Sequence, residues 1–262
     1  MQHQVEARDG ATGRRAVIGY AARLAAAGLV AALATAGAAG HPTGTLIAAF
    51  VTRTEILLCS DGRVVDSVSR STVRDDWPKV HGLTTRTGLL MAGRDLAGLR
   101  DQFVTKLGTQ QPEAVSAVAT VLRGSLEAEW RALGARSGRP PAGRVFAVVA
   151  GFDTDGAPRL FYMDSGTTPS FLMQPVPLFG AGQALEVFAI ATNSSVREDI
   201  SALIVRNLDA LVRQQPGAER RPLMLAAFDA AKRELGASNP TVGGRTFASI
   251  VTPERGYEPL RP

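Results

Sequence analysis

Apolar and polar positions along the chain change period several times, and these changes divide it into strand-like and helix-like segments. "TLIAAFVT" (45–52) and "EILLCSD" (55–61) are short apolar runs set two residues apart, the spacing of a hairpin. "GRVVDS" (62–67) and "STVRDD" (71–76) read as shorter, more polar strands around a turn, and "TGLLMAG" (87–93) as a buried strand ending in glycine. The period then becomes helical over 94–107 and 112–133, and "ARSGRPPAGR" (135–144) is a Pro/Gly/Arg loop. "VFAVVAGFDTDGAPRLFYMDSG" (145–166) holds two strands around Asp-Thr-Asp-Gly, a strong hairpin signal. "PSFLMQPVPLFGAG" (169–182) is strand-like but broken by proline. Helical spacing predicts helices over 182–192, 198–213 and 221–235, and "RTFASIVTP" (245–253) closes as a strand.

Strands, two helices, strands, helices and a final strand do not form the βαβ alternation of a parallel sheet. The order predicts an α+β fold of two stacked antiparallel sheets with helices outside, a four-layer αββα sandwich. With 262 residues, 45% of them hydrophobic, the chain can bury a sizeable core. A net charge of +5 comes mainly from scattered arginines. Nucleic-acid binding would need basic residues clustered in a patch or stripe, so no nucleic-acid partner is expected. Cys59 is the sole cysteine, which excludes an intrachain disulfide, and it lies in an apolar run as a small buried hydrophobe would. His3, His41 and His81 are too dispersed for a metal site. Gly180 and Gly182 form a glycine pair without the Lys-Ser/Thr of a phosphate loop, and Trp77 and Trp130 read as packing residues. No cofactor or metal is expected.

Residues 1–44 differ in composition from the rest of the chain. A basic start with Arg14-Arg15, an Ala/Leu-rich stretch over 24–40 and small residues at its end have the layout of an export signal. The paired arginines also fit a twin-arginine signal. The apolar stretch is short and alanine-rich against the roughly 20 strongly apolar residues of a membrane span. The reading is therefore a leader over 1–44, making at most transient membrane contact, and a folded domain over 45–262. This favours an exported or periplasmic location. The alternatives are an uncleaved anchor, a propeptide or a misassigned start on a cytoplasmic protein.

The junction "HPTGTLIAAF" (41–50) carries the candidate chemistry. Cleaved between Gly44 and Thr45, the chain would expose a threonine whose hydroxyl is a nucleophile and whose α-amine is a base, the pairing of Thr with an N-terminal amine. An α-amine has a reference pKa of about 7.7–8.0, so a useful fraction is neutral near pH 7. Such a site also needs a cation, an anion to hold it, and backbone N–H groups for the oxyanion.

From Thr45 to Asp61 the chain resembles the start of a mature proteasome β subunit, a threonine-type N-terminal-nucleophile (Ntn) hydrolase. The shared features are a Gly-Thr processing point, an apolar hairpin and an Asp after the second strand. "CSDGR" also resembles the matching stretch of the simpler bacterial proteasome-like peptidase. "DDWPKVHGL" (75–83) resembles the family's Asp-rich turn followed by Lys, an apolar residue and His. "TGLLMAGRDLAGL" resembles the strand and helix start that supply its oxyanion hole, and the Lys79–Gly93 spacing agrees. The segments "VVAGFDTDGAPRLFYMDSG" and "TVGGRTFASIVTP" resemble its second hairpin and its closing Gly-Gly strand. The likeness covers residues 45–253. It implies an Ntn fold and catalysis by Thr45, Asp61, Lys79 and the Gly93 N–H, with support from Gln183, Asn239 and Gly243. It also implies autocatalytic processing at Gly44, a peptide or small amide as substrate, and assembly into a homo-oligomer.

The chain departs from the pattern in its export-like leader, which the family's cytosolic proteins lack, and at four positions of the folded domain. Leu46 stands where a small hydroxyl residue is common. Asn239 and Val242 stand where an acid and a serine usually hold the terminal amine, and Gln183 where a serine is expected. Taken singly, Asp61 reads more readily as a turn or strand-end cap, Lys79 as a solvated lysine and Gly93 as a turn glycine. The rival functions are a catalytically weak or inactive assembly subunit of the same fold, and an exported binding domain.

Overall fold

The computed structural model describes residues 45–65, 71–93, 103, 105–108, 113–138, 144–165, 171–191 and 199–260. β1 (Leu46–Val51) and β2 (Ile56–Asp61) form the expected hairpin, with Ile47 opposite Ser60 and Val51 opposite Ile56. Every residue of both strands is buried. Alternation then sends Leu46, Ala48 and Phe50 to one face, and Ile47, Ala49 and Val51 to the other. A strand covered on both faces reads as a continuous apolar run, which is what residues 45–52 show.

The remaining elements are β3 (Val64–Val65), β4 (Thr72–Arg74), β5 (Val80–Thr84), β6 (Thr87–Gly93), α1 (Val115–Ser137), β7 (Val145–Phe152), β8 (Pro158–Asp164), β9 (Leu172–Pro175), β10 (Glu186–Ala191), α2 (Ile200–Gln214), α3 (Arg220–Ser238), β11 (Thr246–Thr252) and β12 (Gly256–Leu260). They make two five-stranded antiparallel sheets, ordered β10-β1-β2-β11-β12 and β5-β6-β7-β8-β9, and the small β3–β4 pair. Three buried clusters hold them together. One joins the outer face of the first sheet to α2 and α3 through Phe50, Leu57, Leu203, Ile204, Ala227 and Phe228. A second lies between the sheets, where Ile47, Ala49 and Leu58 meet Leu90, Ala92 and Val148. The third packs Leu89, Ala147 and Val149 on Leu122, Leu126 and Trp130 of α1. The fold is thus mixed α+β on antiparallel sheets, and its layering is compatible with a sandwich.

Three elements differ from the pattern-based expectation or add to it. The helix expected over 182–192 does not form; that segment includes strand β10, paired with β1 from Leu46↔Ala191 to Val51↔Glu186. Its Ala, Leu and Glu favour a helix, yet the outer edge of β1 needs a hydrogen-bonding partner, and that tertiary demand overrides a weak local propensity. Val187 joins the helix-side core while Phe188 and Ile190 pack on the inter-sheet core, the two-residue alternation of a strand. β5 and β12 are further strands. β12 is an edge strand, where Pro259 is tolerated because its missing N–H faces away from the ladder.

The helices at 112–133, 198–213 and 221–235 appear as α1, α2 and α3, each shifted by a few residues. α1 runs on into the expected loop and ends at Gly138, whose φ of 63° is the left-handed conformation that glycine adopts freely. Of the helix expected over 94–107, Phe103 and residues 105–107 are helical, and Gly108 extends the segment. The rest of that helix, and the leader over 1–44, lie outside the described residues.

Candidate active site

The antiparallel β1–β2 register brings the start of β1 beside the end of β2, and there three candidate residues meet. Thr45 is 3% exposed, Asp61 fully buried and Lys79 8% exposed. Lys79 Nζ donates to Thr45 Oγ1 at 3.0 Å, to Asp61 Oδ1 at 2.7 Å and to the Arg63 carbonyl at 2.7 Å. An ammonium has three N–H bonds, and each has an acceptor here. Asp61 also accepts the Leu46 N–H on Oδ1 at 3.2 Å and the Gly243 N–H on Oδ2 at 3.0 Å. Lys79 is anchored through its own carbonyl, which takes the Met91 N–H of β6 at 3.1 Å.

Burial drives the electrostatics. It pushes the Lys79 ammonium below the ordinary lysine value, opposed by the charge and hydrogen bond of Asp61. It pushes the Asp61 carboxyl above its ordinary value, opposed by Lys79 and by the Gly243 and Leu46 N–H groups. A lysine of lowered proton affinity touching a threonine hydroxyl is a group that can exchange a proton with it. Burial also raises the Cys59 thiol far above its usual range, which leaves it without nucleophilic character.

The other predicted residues divide. Gly243 belongs to the cluster through its N–H bond to Asp61. Gly93 ends β6 with φ at +96°, and a Cβ there would lie 2.0 Å from the Arg144 carbonyl oxygen, so only glycine fits. It follows Ala92, which packs in the inter-sheet core shared with Ile47 and Ala49. Asn239 is buried at the end of α3, and its Oδ1 takes the Thr241 N–H at 3.1 Å and the Thr241 hydroxyl at 2.5 Å, shaping the turn that leads to Gly243. Gln183 Oε1 takes the Gly180 N–H at 2.5 Å within its own turn. Val242 is 1% exposed and packs in the helix-side core with Leu46, a setting that suits an apolar residue. Gly44 lies outside the described residues.

Sequence reasoning missed the Arg63 carbonyl and the Leu46 N–H. Main-chain acceptors and donors are common to every residue, so they leave no mark in a sequence. Among the described residues no group of three or more His, Cys, Asp or Glu side chains is arranged to hold a metal ion. A scan against protein-family models and a search of curated proteins find no match to this chain.

Proposed function

We propose that the chain is a threonine-type Ntn amide hydrolase with the four-layer αββα architecture of that class. The observation that supports this best is the contact of Lys79 Nζ with both Thr45 Oγ1 and Asp61 Oδ1 in a buried cluster at the start of β1. In the uncut chain the Thr45 nitrogen is an amide and cannot act as a base. The group then touching the hydroxyl is Lys79 Nζ. Thr45 Oγ adds to the Gly44 carbonyl, the C–N bond breaks and leaves the α-amine free, and water hydrolyses the resulting ester to release the Gly44 carboxylate and restore the Thr45 hydroxyl. In later turnovers that amine takes the hydroxyl proton as Oγ attacks a substrate carbonyl, and it passes the proton to the leaving amine; water then hydrolyses the acyl ester, releasing the carboxylate and restoring the Thr45 hydroxyl. Lys79, held by Asp61, lowers the proton affinity around both groups, and the Gly93 N–H stabilises the tetrahedral oxyanion. The substrate is a peptide bond or small amide, and the reaction uses no cofactor.

Intact-mass measurement and N-terminal sequencing test this reading. The mature chain should begin at Thr45, and Thr45→Ala should keep the Gly44–Thr45 bond. An intact bond in the wild-type protein, or a start only near 38–40, sinks it. That outcome would leave the two non-catalytic readings, an assembly subunit of the same fold and an exported binding domain.

A further inference from the structure

Asp61 ends a strand of one sheet and Lys79 immediately precedes a strand of the other. No shared ladder of hydrogen bonds fixes the distance between them, and the loops around them add bonds of their own to the packing of the two sheets. Main-chain bonds join three loops at this point. Trp77 N–H donates to the Gly62 carbonyl at 3.0 Å, Gly62 and Arg63 N–H donate to the Gly243 carbonyl at 3.2 and 3.1 Å, and Arg245 N–H donates to the Asp75 carbonyl at 2.7 Å. The Arg63 guanidinium spans all three. Nε donates to Asp75 Oδ1 at 2.7 Å and Nη2 to Asp75 Oδ2 at 3.2 Å, while Nη1 reaches the Pro240 carbonyl at 2.8 Å and the Val242 carbonyl at 3.5 Å. Its plane lies against Gly243, where a Cβ would stand 2.7 Å from Cζ.

We propose that Arg63 is a positioning residue, whose side chain clamps the 75–77 and 239–245 loops so that its own carbonyl and the Gly243 N–H hold Lys79 and Asp61 in register. The catalytic consequence rests on the proposed role of Thr45; the geometric claim does not. The Arg63–Asp75 pair is partly exposed, with side chains 24% and 49% accessible, and a pair in such a setting contributes little stability. Its value is the geometry of the fork. A guanidinium presents several donors in one rigid plane and can bind a carboxylate and two carbonyls together, which a lysine ammonium cannot do in the same directions. The Arg63 hydrogen bond also holds the Asp75 carboxyl below its ordinary value, consistent with a formed pair.

The test uses the full chain with Arg63→Ala, Arg63→Lys and Asp75→Asn. Two quantities are read: kcat and KM on a short peptide amide, and the Lys79 titration midpoint by NMR in a Thr45→Ala background. Arg63→Ala should lower kcat about tenfold or more with KM nearly unchanged. It should also move the Lys79 midpoint by about half a pH unit or more. Arg63→Lys should recover little of either. Should Arg63→Ala fail to fold, Asp75→Asn reads the same two quantities. An unmoved Lys79 midpoint overturns the proposal whatever happens to the rate. Absence of hydrolysis by the wild-type protein would instead overturn the proposed role of Thr45, and the Lys79 midpoint would still decide the role of Arg63.

Discussion

At the scale of single residues, the Asp61–Lys79 pair sets the strongest expectations. Each partner is buried and each is the other's main compensation, so removing one leaves an unpaired charge in the core. Asp61→Ala or Lys79→Ala should each cost about 3–5 kcal/mol in denaturant unfolding, whereas Asp61→Asn combined with Lys79→Met should regain much of that loss. In the proposed mechanism the two act as one unit, so the double alanine variant should be little slower than either single one. Additive losses would separate their roles. The pair also predicts a pH response. Lys79 has a lowered pKa in the folded state, so at alkaline pH the folded chain loses a proton that the unfolded chain still binds. On its own this group therefore adds stability as pH rises from its folded pKa towards about 10.4. Losing that proton removes the cation from the site. The alkaline limb of kcat should accordingly fall below the ordinary lysine value, and a rate still level at about pH 11 would contradict the assignment.

Among the elements, α1 and β10 teach different lessons. α1 carries Gly124 on an exposed helical turn, with nothing within 4 Å of where its Cβ would be. Gly124→Ala should therefore raise stability by about 0.5–1 kcal/mol, because alanine loses less backbone entropy on folding. Thermal unfolding checks this, and a loss of stability would mean that the face is covered by another surface. The helical period of α1 is legible in the sequence because its buried positions, among them Val115, Val118, Ala119, Leu122 and Leu126, repeat on one stripe. β10 is not legible in that way. The 182–192 segment around it reads as helical in its spacing, and its position beside β1 makes a strand the better solution. β5 is hidden for a related reason: its glycine and histidine break the apolar run that marks β6 and β7.

For the whole molecule, the proposed class implies a homo-oligomer that encloses its active sites. Exposed apolar residues at Val73, Trp77, Leu172 and Val212 are scattered over β4, the 75–79 loop, β9 and α2. Light scattering on the processed protein should show an assembly larger than one chain, and a clean monomer at micromolar concentration would refute the enclosing assembly. An enclosed site should cleave short unfolded peptides and spare folded proteins. Equal cleavage of both would point to an open amidase-like site built from the same Thr45, Asp61 and Lys79.

The sequence by itself determined the elements whose apolar positions repeat regularly, namely the β1–β2 and β7–β8 hairpins, β6 and the three helices. Burial of one face or both imposes a local period, and a local period can be read along a chain. It also marked Thr45, Asp61 and Lys79, because their side chains carry distinctive chemistry in an order that resembles a known family. Only the tertiary structure decided that β10 and β12 complete the first sheet, that Val242 belongs to the core, and that the Arg63 carbonyl and the Leu46 N–H hold the charged pair. Those outcomes depend on contacts such as Arg63 with Pro240, 177 positions apart. On one side of such contacts stands a main-chain group, here the Pro240 carbonyl, of a kind that every residue possesses. They arise from which strands pair and how the sheets stack, and no local pattern of side chains records that.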